Sequence, residues 1–401
     1  LALGLTLLVR IDGASDMLPA IPFCGMLLIG RRPQAVPLLS GLLAGALYGG
    51  IDGLLLSRPY LVSIKSSLLP LALVGAVVVI ATAAAVVVLR DRRLPQVRAN
   101  WLPNAIAVLA VVIMTGFAVR PYLQKVRGPA LARIAGYQRI DHLPVDPHRM
   151  YYELALHWVF WYIGLPAVVL GTFAAVLLAR RCLRGEAPTW TLPLMSFAWI
   201  IVTILYRPAI VPDQPWASRR FVPALLPGFI VLALWASGWL VGWLRRNGFD
   251  QVIRGGLVTG CAAVLLVPTA LTSLPLAFKT TYIGEIAAVD RLCAAIPHGS
   301  AVVIISHQTA RLTEIVRGMC GVPVARAHPQ PGTVRQAVRG IEQAGGRPVI
   351  LAATRAELAP YGGAVRQIMT LRTTMDGHAL TTPPRRTLVL RMNVWMWAPG
   401  P

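Results

Sequence analysis

The sequence predicts an all-α polytopic membrane bundle followed by a small C-terminal α/β domain. Three observations carry this reading. First, 56% of the 401 residues are hydrophobic and only 13% are charged, with a mean hydropathy of +0.63, a balance that water-soluble chains of this length do not hold. Second, apolar runs of about 17 to 25 residues, long enough to cross a bilayer, recur as far as residue 278. Third, beyond Phe278 the runs shorten to strand length and alternate with amphipathic stretches.

Taken in order, Leu1–Val9 reads as the closing half of a helix already under way. Position 1 is Leu rather than Met, and no basic start or small-residue cleavage site of a signal peptide follows, so an N-terminally truncated chain is expected. Further spans are expected at Met17–Gly30, Ala35–Leu56, Leu68–Leu89, Trp101–Val119, Leu154–Ala179, Thr191–Tyr206, Phe221–Leu244 and Gly255–Phe278. Residues 1–278 thus read as a transmembrane domain of about nine spans, the first partial. The second span is short and bears prolines, which fits a tilted or re-entrant segment. No internal repeat is evident, which weighs against an inverted-repeat transporter.

Basic turns set the orientation. Arg31-Arg32, the run from Arg90 to Arg98, Arg180-Arg181 with Arg184, and Arg245-Arg246 with Arg254 fall at every second connection, as cytoplasmic loops require. The other connections mix their basic residues with Asp12, Asp16, Asp141, Asp146, Glu153 and Asp213. On this assignment the chain is a multi-pass protein of the cell membrane, and everything after Phe278 is extracytoplasmic. The net charge of +22 is spread over loops between apolar runs, which suits lipid headgroups and lipid-linked phosphates. No basic-aromatic pattern of a nucleic-acid module is present, so no nucleic acid is expected as a partner.

Residues 279–401 read as the α/β domain. Ala301–Ile305, Val322–Ala325, Pro348–Ala352 and Thr387–Arg391 have the look of short buried strands, with amphipathic stretches at Ile283–Ala295, Ala310–Met319 and Val334–Gln343. The alternation implies a partly parallel sheet. Ser306-His307-Gln308 stands after the first strand, where a phosphate-binding glycine loop would sit, so no nucleotide is expected. The five cysteines form neither a metal spacing nor a Cys-x-x-Cys pair. Cys293 and Cys320 flank the first strand and, outside the cytoplasm, could close a stabilising loop. Two buried free thiols are the alternative.

The candidate chemistry lies at the outer ends of the spans. Arg219 and Arg220 close a proline-bounded loop that begins at Arg207 and leads into the apolar run from Phe221. An arginine pair where the dielectric falls is suited to a phosphate, and equally to anchoring a helix among lipid headgroups. Arg10 and Asp12 stand at the membrane surface as either a structural ion pair or contacts to a lipid phosphate and a sugar hydroxyl. Asp52 lies in an apolar run beside Gly49, Gly50 and Gly53, facing a cavity or capping a broken helix. Glu153 and His157 belong to the aromatic stretch from Arg149 to Gly164, which fits an interfacial belt or a carbohydrate site. Asp141, His142, Asp146 and His148 show no metal spacing. No metal site or cofactor motif is identified, and a divalent cation stays open.

Three stretches, LALGLTLLVRIDG, RMYYELALHWVFWYIG and SRRFVPALLPGFIVLAL, resemble the GT-C superfamily of integral-membrane glycosyltransferases. The branch is that of the protein mannosyltransferases and lipid A aminoarabinose transferases, which use polyprenyl-phosphate sugars. The resemblance covers most of residues 1–278, and the tail resembles the extracytoplasmic domain of some actinobacterial members. It implies a polyprenyl-phosphate-linked sugar donor, a cell-envelope glycan, lipid or protein as acceptor, and inverting displacement at the anomeric carbon. It further implies that Arg219 or Arg220 binds the donor phosphate and that the general base lies before Leu1. Transport of lipid-linked saccharides and a scaffold role in envelope assembly are the alternatives.

Overall fold

The computed structural model of the protein describes residues 1–9, 13–89, 101–306 and 308–399. Arg10, Asp12 and the basic turn from Arg90 to Arg98 lie outside the described residues. The chain divides into two units: Leu1–Leu274 with Ala379–Pro383, and Pro275–His378 with Pro384–Pro401. The division falls a few residues before the Phe278 boundary read from the sequence. A five-residue piece of the C-terminal sequence belongs to the helical unit.

Among the described residues, seven helices are long and apolar enough to cross a membrane: Ala35–Leu56, Leu68–Leu89, Leu102–Leu123, Tyr152–Leu183, Pro188–Tyr206, Leu225–Arg246 and Gln251–Ser273. The apolar Gly13–Ile29 is shorter, and Ala2–Val9 is shorter still. The nine runs in the sequence therefore resolve into seven spanning helices and two short pieces. Such a set makes a multi-pass membrane protein.

The Ala155–Leu183 helix is the hub, packing against Leu102–Leu123, Thr191–Tyr206, Leu225–Arg246 and Gln251–Ser273. Its buried face runs through Trp158, Val159, Ala167, Gly171, Ala174 and Leu178, and Gly171 lets Phe229 approach to where a Cβ would stand 2.9 Å from the ring. Lipid offers no hydrophobic drive for helix association, so small residues that permit close backbone packing take its place. The same device joins Ala2–Val9 to Ala35–Leu56. Gly41, Gly45 and Gly49 recur every fourth residue, and a Cβ on Gly45 would fall 2.7 Å from the Gly4 backbone. By contrast, Val77, Ile80, Leu266 and Leu271 are exposed, the surface a bilayer would cover.

Two spans depart from the sequence reading. The run from Leu154 contains Gly164, at φ 78° and ψ 151°, so the helix is broken there, with Pro166 just beyond. Only glycine holds that conformation at no steric cost, and a Cβ would also meet Pro268 at 2.9 Å. The run from Phe221 begins its α-helix at Leu225 instead. Trp216–Arg220 forms a turn of 3-10 helix, and Phe221 sinks into the core, which turns the chain before the helix can start.

The C-terminal unit carries one five-stranded sheet: β1 (Ser300–Ile304), β2 (Val324–Arg326), β3 (Arg347–Ala352), β4 (Ala364–Met375) and β5 (Leu388–Ala398), in the order β2-β1-β3-β5-β4. β1 runs parallel to β2 and β3, whereas β5 is antiparallel to both β3 and β4. Successive side chains on a strand point to opposite faces, and both faces are covered. Val302, Ile304, Val349 and Leu351 pack with Ala288 and Leu292 of Glu285–Ala295 and Val316 of Leu312–Met319. On the other face Val303, Ile350 and Trp397 pack with Val334 of Pro331–Gln343. The result is a three-layer α/β/α domain. A disulfide joins Cys293 to Cys320 across the two helices of one layer, while Cys24, Cys182 and Cys261 are free.

Candidate functional site at one end of the helical unit

The polar residues of the helical unit gather where Leu102–Leu123 and Thr191–Tyr206 end together. Arg120 fixes this pairing: its Nη1 donates to the carbonyls of Leu205 and Tyr206 at 3.1 and 2.8 Å, and its guanidinium stands 5.2 Å from the Tyr206 ring centre. A helix C-terminus leaves its last carbonyls without intrahelical donors and carries partial negative charge, so a cation belongs there.

The segment between Leu123 and the hub helix folds onto the same end. Gln138, fully buried, gives its amide N–H to the Asp146 carbonyl at 2.9 Å and to the Tyr151 hydroxyl at 3.0 Å, and accepts the Asp146 N–H at 2.8 Å. Asp146 also holds Arg127 at 2.8 Å. Glu153, only 1% exposed, has both oxygens engaged, one by Arg149 at 3.3 Å and the other by the Val126 N–H at 3.1 Å. A buried polar group costs free energy unless hydrogen bonds replace those it loses to water. Glu153 therefore anchors this segment.

The loop from Arg207 to Phe221 is anchored on Gln214. This side chain is fully buried beside the nearly buried Asp213, and its carbonyl accepts the Tyr162 hydroxyl. Its backbone pairs with Ala379. The Trp158 indole donates to the Leu380 carbonyl at 3.2 Å, and the Leu380 N–H donates to Asp141 at 2.9 Å. Leu380 is fully buried in the same cluster as Trp158 and Phe221. Two arginines emerge at the end of this pinned loop. Arg219 is exposed and lies 4.4 Å over the exposed Trp216 ring. Arg220 is half-buried, and both make further contacts.

The structure thus brings Arg207, Glu153 and the Arg219–Arg220 pair to one set of loops. Arg207 is exposed at the end of Thr191–Tyr206. His157 is half-buried in the first turn of the hub helix, its ring centre 5.5 Å from that of Phe160 and its Nδ1 without a partner among the described residues. Asp52 is elsewhere: it sits half-buried in Ala35–Leu56, which runs through it as continuous helix, so it is no N-cap. Sequence reasoning missed Gln214, Arg120 and Gln138, and read Tyr162 only as one ring of the aromatic stretch from Arg149 to Gly164. A lone glutamine in a polar loop reads as solvated, and its burial depends on Ala379, far along the chain. Among the described residues no three His, Cys, Asp or Glu side chains converge as a metal site would require. No family model, curated protein or solved structure matches the chain.

Proposed function

We propose that the protein is a membrane glycosyltransferase that moves a sugar from a polyprenyl-phosphate donor on the outer face of the cell membrane to a cell-envelope acceptor. The observation that carries this reading is the rigid presentation of Arg219. The loop is held by Gln214 and Tyr162, and it sets an exposed guanidinium over an exposed indole just before the Leu225–Arg246 helix enters the membrane. A phosphate on a lipid tail would meet that cation at headgroup depth, and the aromatic surface nearby suits a sugar face. Positive charge at the phosphate would stabilise the charge that develops there as the anomeric bond breaks. Neutral recognition of a lipid headgroup needs no such preorganised loop.

The disulfide between Cys293 and Cys320 supports an extracytoplasmic place for the C-terminal unit, since such bonds persist in oxidising compartments. Glu153 anchors its segment through Arg149 and Val126, and the group that activates the acceptor hydroxyl is left unassigned. A second reading, transport of lipid-linked saccharides, has one observation in its favour: the break at Gly164 within a spanning helix. Transporters build sites from broken helices.

The two readings separate in proteoliposomes carrying the intact protein and a radiolabelled polyprenyl-phosphate sugar. Transfer of label to an added envelope glycan, with donor consumed, supports the transferase. Movement of intact donor between leaflets without consumption supports the transporter.

A further inference from the structure

We propose that the C-terminal unit carries its own binding site for an anionic saccharide, a sugar bearing a phosphate or a carboxylate. This site is separate from the arginine loop and does not rest on the transferase reading. A cavity of about 430 Å³ opens between the Pro331–Gln343 helix, the turn before β4 and the end of β5. Its apolar wall is Val338, Ile350 and Trp397, and its rim is Arg335, Arg339 and Tyr361. That size suits one or two sugar rings and is within the ordinary range of small-ligand pockets.

The rim is chemically specific. Arg335 and Arg339 are one helical turn apart and both exposed, and neither takes part in an ion pair among the described residues. Like charges at this spacing oppose helix formation, so the pair is unfavourable unless something negative lies between them. Arg335 makes only a long contact, 3.5 Å, to the Pro360 carbonyl, so its planar donor fork remains available to an oxyanion. The wall adds one edge of a buried indole and the half-buried Tyr361 ring. Trp397 is 8% exposed and its indole N–H has no acceptor among the described residues. Its place depends on Gly363, where a Cβ would fall 2.8 Å from Nε1. Two exposed guanidiniums beside a half-buried Tyr361 match a charged group that accepts paired hydrogen bonds and a ring that rests on the apolar wall.

The test is equilibrium binding to the full chain in nanodiscs of uncharged lipid, with glucose 1-phosphate, glucuronate, glucose and inorganic phosphate as probes. The expected result is at least tenfold tighter binding of one or both charged sugars than of glucose or phosphate. Affinity should fall at least tenfold in R335Q/R339Q and hold in R291Q, which removes an exposed arginine away from the cavity. The stronger of the two charged sugars identifies the anionic group. Phosphate binding as tightly as glucose 1-phosphate would overturn the saccharide assignment. Absence of binding, or equal affinity in wild type and R335Q/R339Q, would overturn the site. Because all three arginines are exposed, unchanged circular dichroism is expected for each variant, and Y361F supplies a second rim variant that should weaken binding.

Discussion

The Gln214 N–H donates to the Ala379 carbonyl at 2.9 Å, and the Ala379 N–H returns to the Gln214 carbonyl at 3.2 Å. This two-residue bridge joins a membrane-surface loop to a segment from near the far end of the sequence. It places Leu380 under Trp158 and leaves the Gln214 side chain to hold Tyr162.

Replacing Gln214 by alanine removes the carbonyl that accepts the Tyr162 hydroxyl and leaves that hydroxyl to its side-chain hydrogen bond with Ser218. The expected loss is about 0.5–1.5 kcal/mol, the net contribution of one hydrogen bond. Proteolysis of the purified protein should then cut faster within residues 207–221 or 379–383, and Y162F, which takes the hydroxyl from the carbonyl of the fully buried Gln214, should do the same. Equal protease resistance in wild type and Q214A would mean the loop is held by other contacts.

Gly45 and Gly50 lie on one helix but on different surroundings. A Cβ on Gly45 meets the Gly4 backbone at 2.7 Å, whereas one on Gly50 meets nothing within 4 Å. Backbone cannot retreat as a flexible side chain can. G45V should therefore lower the melting temperature through overpacking of about 1–3 kcal/mol, and G50V should leave it nearly unchanged. Matching melting curves for the two variants would contradict the packing of Ala2–Val9 on Ala35–Leu56.

The Cys293–Cys320 bond spans a sequence separation of 27. Loop closure of that length constrains the unfolded chain by about 3–4 kcal/mol. Reduction, or C293A/C320A, should lower the melting temperature of the C-terminal unit by several degrees while the helical unit's circular dichroism holds. An unchanged melt after verified reduction would count against this contribution.

Burial holds the Tyr361 phenol above its ordinary value of 10.0, and the Arg335 cation pulls the other way. The phenol thus keeps its proton longer in the folded chain than in the unfolded one. Its contribution to stability is full below about pH 10 and is lost as pH rises through the folded value. Y361F should flatten the decline in melting temperature above about pH 10, and R335Q should move the phenol's absorbance titration further up. A titration that R335Q leaves in place would show that the guanidinium does not act on the ring.

What the sequence made legible was whatever depends on local pattern. Apolar length located the spans, because a bilayer imposes it, and short continuous apolar runs located β1 and β3, which are buried on both faces. β4 escaped because the register shifts between Gln367 and Met369, and the alternation beyond it, from Met369 to Thr373, carries threonine and arginine with only two large apolar residues. Only the first part of β5 was recognised, since Asn393 interrupts a run that Trp395 and Trp397 continue. The break at Gly164 was hidden by an apolar context on both sides. In the site, the arginines were visible because charge beside an apolar run stands out. Gln214 was passed over and Glu153 was read as a polar candidate of an aromatic stretch rather than a buried anchor, because their partners Ala379, Tyr162, Val126 and Arg149 are not encoded by spacing.

The most direct test of the central claim is donor binding by the intact protein, read as the affinity for a short-chain polyprenyl-phosphate sugar in nanodiscs of uncharged lipid. Charge-assisted contacts to phosphate are worth about 1.5–3 kcal/mol. R219A should thus weaken binding about tenfold or more, and R219A/R220A further, whereas R245A/R246A, at the opposite end of Leu225–Arg246, should bind as wild type does. Equal affinity in wild type and R219A/R220A would contradict the account.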